Sequence, residues 1–364
     1  MQRAKLFEAV NMIQLGAMPL QQFVALHPNA RVSAPELAEL KAYLAPWGTA
    51  PTLSSGAAQK DARSVNPPSG AALPISLSPV SPERNGLPFD PSFENWKPLS
   101  TTDRGDNSTF RFVLGNDIAV KAAQSGNIAP WPDGTRFAKV AWQQELGADG
   151  LIHPGEFVQV ELMVKDARRY KDTDGWGWGR WRGLDLKPYG DDAHFVGECT
   201  GCHLPVRGND YVYTLPITRA HFGREETVNN AAASLPQGLP WQPLGWRAIT
   251  MYVDPRAHTT ATLHGNDAAM RVIARGGASG SQPPPYPDGA VLALVTWTQR
   301  DDPHWFGGRI PDTPISVEFV QVSSKSMNNY RAYEGRALAE AQVDAKSAAQ
   351  RMNFILKLTS AQLP

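Results

Sequence analysis

Both cysteines of this chain fall within five consecutive residues, Cys199-Thr200-Gly201-Cys202-His203, with an imidazole directly after the second thiol. That spacing lets two thiols add to the vinyl groups of a haem while the next side chain reaches the iron. Two other chemistries use a Cys-x-x-Cys pair, a redox dithiol and half of a zinc site. A zinc site would want two further ligands at matched spacing, and the 364 residues contain no other cysteine. Both cysteines and one of eight histidines in one pentapeptide favour a single covalent c-type haem, with His203 ligating the iron on one face.

An electron carrier needs a sixth iron ligand, and the only methionine in the haem-bearing part of the chain is Met163. Without it the iron keeps a position open for a small molecule. Two further side chains stand out. In Arg136-Phe137-Ala138-Lys139-Val140-Ala141-Trp142 a period of two puts Lys139 on the face of Phe137 and Ala141. An amine among apolar groups has a lowered pKa and becomes a nucleophile, whereas a twisted strand would leave the same lysine at a watery edge. Glu161 shares a face with Phe157, Gln159 and Met163, opposite Val158, Val160, Leu162 and Val164, and that face can meet a pocket or solvent. In Gly175-Trp176-Gly177-Trp178-Gly179-Arg180-Trp181 the glycines take one face and Trp176 and Trp178 the other. Bare glycines admit a flat group such as a porphyrin, and an aromatic strand with a bulge gives the same pattern.

These residues need a folded scaffold, and 42% apolar content supplies one. Thirty-five basic residues balance 35 acidic ones, so no overall field draws nucleic acid or an anionic membrane. No apolar run reaches the roughly 18 residues of a spanning helix. Residues 1–47 predict short helices: Leu6, Val10, Ile13 and Leu15 recur at helical spacing, and Ser33 with Glu36 forms a capping box. Residues 48–90 have the Pro, Ser, Gly and Ala composition of a flexible linker. A haem domain is expected at 91–225. A haem-less second copy is expected at 235–364, helical and Ala-rich beyond Tyr330.

The duplication rests on matches in a common order. Trp96-Lys97-Pro98-Leu99 is echoed by Trp241-Gln242-Pro243-Leu244, Gly115-Asn116-Asp117 by Gly265-Asn266-Asp267, and Trp131-Pro132-Asp133-Gly134 by Tyr286-Pro287-Asp288-Gly289. Trp142 pairs with Trp297, and Pro154 precedes Glu161 as Pro311 precedes Glu318.

Pro132-Asp133-Gly134-Thr135 leading to Lys139, Val160-Glu161 through Val164-Lys165-Asp166, the Gly/Trp strand, Glu198 to His203, and Asp210-Tyr211-Val212-Tyr213-Thr214 together resemble the cytochrome P-460 family over about residues 90 to 220. The resemblance implies an α+β fold, mainly antiparallel β with added helices, that often forms homodimers around a c-type haem with one open face. In hydroxylamine-oxidising members a lysine after the Asp-Gly-Thr turn is cross-linked to the porphyrin and a distal glutamate assists proton transfer. Lys139 and Glu161 fall on those positions, and Arg111 on another pocket position. Relatives lacking the cross-link, the β-type cytochromes c-prime, bind nitric oxide.

In the second copy Leu294 stands for Lys139 and Ala261 for Arg111, the Cys-His motif is missing, and Glu318 persists. The resemblance therefore implies a haem domain packed on a degenerate copy as an internal pseudo-dimer. The expected activity is oxidation of hydroxylamine or a similar small nitrogen compound, with electrons passed to an external acceptor. The alternatives are a nitric oxide binding or sensing protein and an electron-transfer cytochrome with Met163 on the iron. The segment Met12 to Pro19 with Leu26-His27-Pro28 resembles the tail of a small haem-binding domain, with Met18 and His27 read as structural. Glu8 interrupts the stretch where an export signal would lie. Because thioether attachment occurs outside the bacterial cytoplasm, a periplasmic protein with a start inside a longer reading frame is expected.

Overall fold

The computed structural model describes residues 2–44, 80–217, 230–273, 286–324 and 328–364. Three helices open it, α1 (Gln2–Gln14), α2 (Gln21–Leu26) and α3 (Ala34–Leu44). The Ser33–Glu36 capping box forms, with the Ser33 N–H donating to Glu36 Oε2 at 2.8 Å. A first unit follows: β1 (Lys97–Arg104), β2 (Thr109–Gly115), α4 (Asp117–Ser125), β3 (Arg136–Leu146), β4 (Ile152–Lys165), β5 (Trp176–Arg182), β6 (Lys187–Pro188) and α5 (Val196–His203). The second unit runs β7 (Arg247–Asp254), β8 (Thr259–Gly265), α6 (Asp267–Ile273), β9 (Val291–Asp301), β10 (Gly308–Gln321), β11 (Asn329–Glu334), β12 (Ala339–Glu340) and α7 (Ala345–Lys357).

The fold is α+β and mainly antiparallel. Strands β1-β2-β3-β4 and β7-β8-β9-β10 join in one closed eight-stranded ring, and β5-β6 and β11-β12 extend it at corresponding places. The seams are short: Ile152↔Val253 on one side, Asp103↔Arg309 and Arg104↔Gly308 on the other. Burial ties the halves more strongly, because Phe110, Phe112, Val140, Trp142, Val160 and Leu162 share one core cluster with Met251 and Val253. Among the described residues no helix is long and apolar enough to cross a membrane.

Local chemistry repeats between the halves. Asn116 caps α4 by accepting from the Ala119 N–H at 3.0 Å and donates to the Gly134 carbonyl at 2.9 Å; Asn266 does the same with Ala269 and Gly289 at 3.0 Å each. Gly134 and Gly289 take φ of 85° and 78° in matching Asp-Gly turns. The pairs Val113↔Lys139 and Lys139↔Glu161 correspond to Leu263↔Leu294 and Leu294↔Glu318.

Four expectations change. Lys97↔Gly115 corresponds to Arg247↔Gly265, so the counterpart of Trp96 is Trp246, and the Trp241 echo is out of register. A β-bulge between Ala141 and Trp142, opposite Phe157 and Gln159, turns Phe157 into the core and off the Glu161 face. The helical stretch expected beyond Tyr330 begins only at Ala345, because Asn329–Glu334 and Ala339–Glu340 complete the sheet. The linker lies outside the described residues up to residue 79, and its remainder is packed: Leu87 is buried, and Trp181 Nε1 donates to the Ser81 carbonyl at 3.0 Å.

Helix α7 covers the second half on the face that matches the Lys139 wall of the first. Ile355 and Leu358 bury against Ala261, Leu263, Leu292, Leu294 and Val320. Arg351 binds Glu318 through two hydrogen bonds at 2.8 and 2.6 Å. Among the described residues the first half has no such plug. There the equivalent face opens on a cavity.

Candidate functional site

Period-two geometry decides what faces this cavity. From β3 come Phe137 and Lys139, from β4 Gln159, Glu161 and Met163, from β2 Arg111 and Val113, and from β5 Trp178 and Arg180. Helix α5 supplies Cys199, Cys202 and His203 to the same space, about 440 Å³ in volume and within the range of small-molecule and cofactor sites. The structure thus brings together every residue singled out for chemistry in the sequence: the Cys-His motif, Lys139, Glu161, Arg111 and Met163.

Of the glycines in the β5 strand, Gly179 lines this space with its backbone, and the side-chain directions of Gly177 and Gly179 point away from it. A Cβ at Gly177 would strike the Tyr170 ring and one at Gly179 the Trp181 ring, so their bareness serves aromatic packing on the other side. Trp178 and Arg180 present the cavity face. Arg180 was not singled out beforehand, although its alternation with Trp176 and Trp178 marks it.

The strand wall is an ionic cluster. Glu161 contacts the Lys139 ammonium, pairs with Arg180 Nε at 2.7 Å, and accepts from Gln159 Nε2 at 2.8 Å. Burial pushes the Glu161 carboxyl up, but the cations of Lys139 and Arg180 outweigh it and hold it at about 2. Burial, helped by Arg111 and Arg180, lowers the pKa of Lys139 against the opposing pull of Glu161. Burial and the charge of Arg104 likewise lower Arg111, whose buried Nε has no hydrogen-bond partner among the described residues. In this cluster three cations face one carboxylate, and with Lys5 and Arg104 against Glu8, Asp106 and Asp302 elsewhere in the lining the cavity keeps a small positive excess for an anionic group.

On the helix side, His203 Nδ1 lies 2.7 Å from the Tyr211 carbonyl. With the proton on Nδ1 as donor, Nε2 is left as a lone-pair ligand. Burial pushes His203 down to about 4, so it is neutral and fit to bind a metal at pH 7. Edge-on contacts from Trp178 at 4.7 Å and Tyr213 at 5.1 Å between centroids hold the ring plane. Burial also pushes Cys199 up to about 11 and raises Cys202. A redox dithiol needs the opposite shift. Among the described residues no three His, Cys, Asp or Glu side chains cluster to hold a metal ion, which leaves a zinc reading two ligands short.

A haem fits this set. Two thiols and an imidazole stand on one side, an apolar and aromatic lining of Phe137, Val113, Leu162 and Trp178 surrounds the space, and the orphaned Arg111 Nε and surplus cations suit the carboxylates a porphyrin carries. The second half reaches the same cavity through Asp302, Trp305 and Ile310, and α1 through Lys5 and Glu8. Trp305 stacks on the Arg104 guanidinium at 4.1 Å and meets Tyr213 edge-on at 5.5 Å. No local pattern marks these residues in the sequence, because only the barrel seam brings them near.

No curated protein matches the chain. The family model described as Cytochrome P460 matches residues 91–214, the segment that holds Arg111, Lys139, Glu161 and the Cys-His motif. Over that segment the chain is similar to the cytochrome P460 family.

Proposed function

We propose that the chain carries one c-type haem, tethered by thioethers to Cys199 and Cys202 and ligated by His203, and oxidises hydroxylamine or a similar small nitrogen compound at the open face. The observation that supports it is the meeting of Lys139 and Glu161 on the wall of the cavity that His203 enters. The bound haem supplies an iron site for the substrate nitrogen and an electron path to an external acceptor. Glu161 accepts substrate protons at its carboxylate, which Arg180 and Gln159 orient. Lys139, its pKa lowered by burial, is an amine suited to bond with a ring carbon, a step that releases two protons and passes two electrons to the external acceptor, and Phe137 and Val113 keep bulk water out. Thioether attachment, made outside the bacterial cytoplasm, supports a periplasmic location. The second half stands in for a second subunit as an internal pseudo-dimer, the reading its corresponding strand pairings favour.

The test uses protein matured in a host that attaches c-type haem. Colour retained after acid-acetone, a strongly red-shifted ferrous Soret band that Lys139→Ala abolishes, and reduction of a one-electron dye by hydroxylamine are the expected results. Nitric oxide binding without dye reduction would replace oxidation with a binding role. Met163 lines the same cavity, which favours a second reading as an electron carrier. A low-spin spectrum with a sulfur-to-iron band, unchanged by Lys139→Ala, would establish that reading instead.

A further inference from the structure

Among the described residues, the backbone carbonyl that aims His203 is that of Tyr211. That carbonyl sits in unusual backbone, with Asp210 and Tyr211 both left-handed at φ of 52° and 65°. Consecutive side-chain-bearing residues hold that conformation only where the surroundings impose it. Here the surroundings converge on the Asp210 carboxylate. It accepts from Lys165 Nζ at 2.7 and 2.9 Å, from Trp176 Nε1 at 3.1 Å and from the Trp131 N–H at 2.8 Å. The Lys165 and Asp210 side chains are 7% and 13% exposed. The ammonium also lies 4.8 Å over the Trp176 ring. Lys165 ends β4 and pairs in register with Trp176 at the start of β5, so the clamp ties the Glu161 strand to the loop behind the imidazole.

A buried ion pair adds little stability over a well-packed apolar replacement, so what this one offers is direction. We infer that the Lys165–Asp210 pair is a positioning device for His203, fixing the Tyr211 carbonyl and through it the orientation and basicity of the imidazole. The inference rests on His203 being the axial ligand. Neither residue touches the cavity contents. Both act through the hydrogen bond at Nδ1, and such outer partners raise ligand basicity and are typically worth 10- to 100-fold in metal affinity or activity.

The test compares full-length, haem-loaded parent with Asp210→Asn, Lys165→Gln and Lys165→Arg, reading the ferrous iron–imidazole stretch by resonance Raman and the midpoint potential. Asp210→Asn and Lys165→Gln should lower the stretching frequency and raise the potential. An order-of-magnitude loss of ferric over ferrous preference corresponds to about 59 mV for one electron. Lys165→Arg should stay near the parent on both readouts. Variants that take up haem and lose only thermal stability, with stretch and potential unmoved, would overturn the inference, as would Lys165→Arg shifting as far as Lys165→Gln. Should Asp210→Asn fail to mature, the two Lys165 variants decide the matter by the same comparison. A parent without any iron–imidazole stretch overturns the ligation reading itself, an outcome distinct from unchanged variants.

Discussion

Glu161 meets the Lys139 ammonium, Arg180 Nε and the Gln159 amide on one carboxylate, and its chemistry follows from that company. Its pKa of about 2 lies below the ordinary 4.5, so the contacts of its charged form contribute stability that is fully present above about pH 4.5 and lost as pH falls toward 2. Glu161→Gln should therefore flatten the acid side of the stability profile in that window, which urea titrations at a series of pH values will show. At neutral pH the same substitution leaves Lys139, Arg180 and Arg111 uncompensated, at a cost of about 3 kcal/mol. Under the proposed function it also removes the proton acceptor, and hydroxylamine-dependent dye reduction should fall by about 10²- to 10⁴-fold. A carboxylate at pKa 2 is a weak base. A bond from the Lys139 amine to a ring carbon, formed with loss of one N–H and one ring C–H hydrogen as two protons and two electrons passed to the external acceptor, would discharge the nearest cation and move Glu161 back toward its ordinary range, which under the proposed function couples the two residues.

At the scale of elements, the contrast between the two halves is a matter of which helix covers the wall. Helix α5 leaves a cavity over Lys139 and Glu161, whereas α7 fills the matching place, with Arg351 taking over as partner of the surviving glutamate. Arg351→Ala should leave Glu318, which is 5% exposed, without its cation and with the Tyr330 hydroxyl as donor, and cost about 2–3 kcal/mol, less than for a fully buried pair because the guanidinium is part-exposed. Glu318→Gln in the same chain should recover much of that loss, and thermal denaturation of the single and double variants separates the two cases. Much of this architecture was legible in advance. The Asn caps and Asp-Gly turns were readable because their hydrogen bonds are local, and period two correctly placed Lys139 with Phe137 and Glu161 with Met163. The Trp241 match failed because shared residue types carry no register; the turn from Pro243 to Trp246 sets it. Phe157 was misassigned because one bulge reverses every face behind it. Trp305 depends on the seam, which no local pattern encodes, whereas the alternation of Arg180 with Trp178 lies in the sequence itself.

For the whole molecule, the question is whether the haem half can stand alone. Its ring closes only through the second half, by one residue pair at β4–β7 and two at β1–β10. The short seams understate the dependence. Met251 and Val253 complete the core under Trp142 and Val160, Gln299 donates to Asp103 at 3.1 Å, and the Trp142 indole donates to the Gln362 carbonyl at 2.5 Å. Ending the chain at residue 230 would bare that apolar surface and leave the edges of β1 and β4 unpaired, a template for another copy. The truncated haem half should therefore associate into dimers through those edges, with a lower denaturation midpoint than the full chain and a cavity opened where Asp302 and Trp305 stood. Light scattering gives the mass and urea unfolding the midpoint, both on material with haem attached. If the second half is a built-in partner, adding the separate 231–364 fragment should compete with self-association and return the midpoint toward that of the intact chain. A truncated monomer as stable as the parent would mean that the second half is an appendage and that the cavity is complete without it.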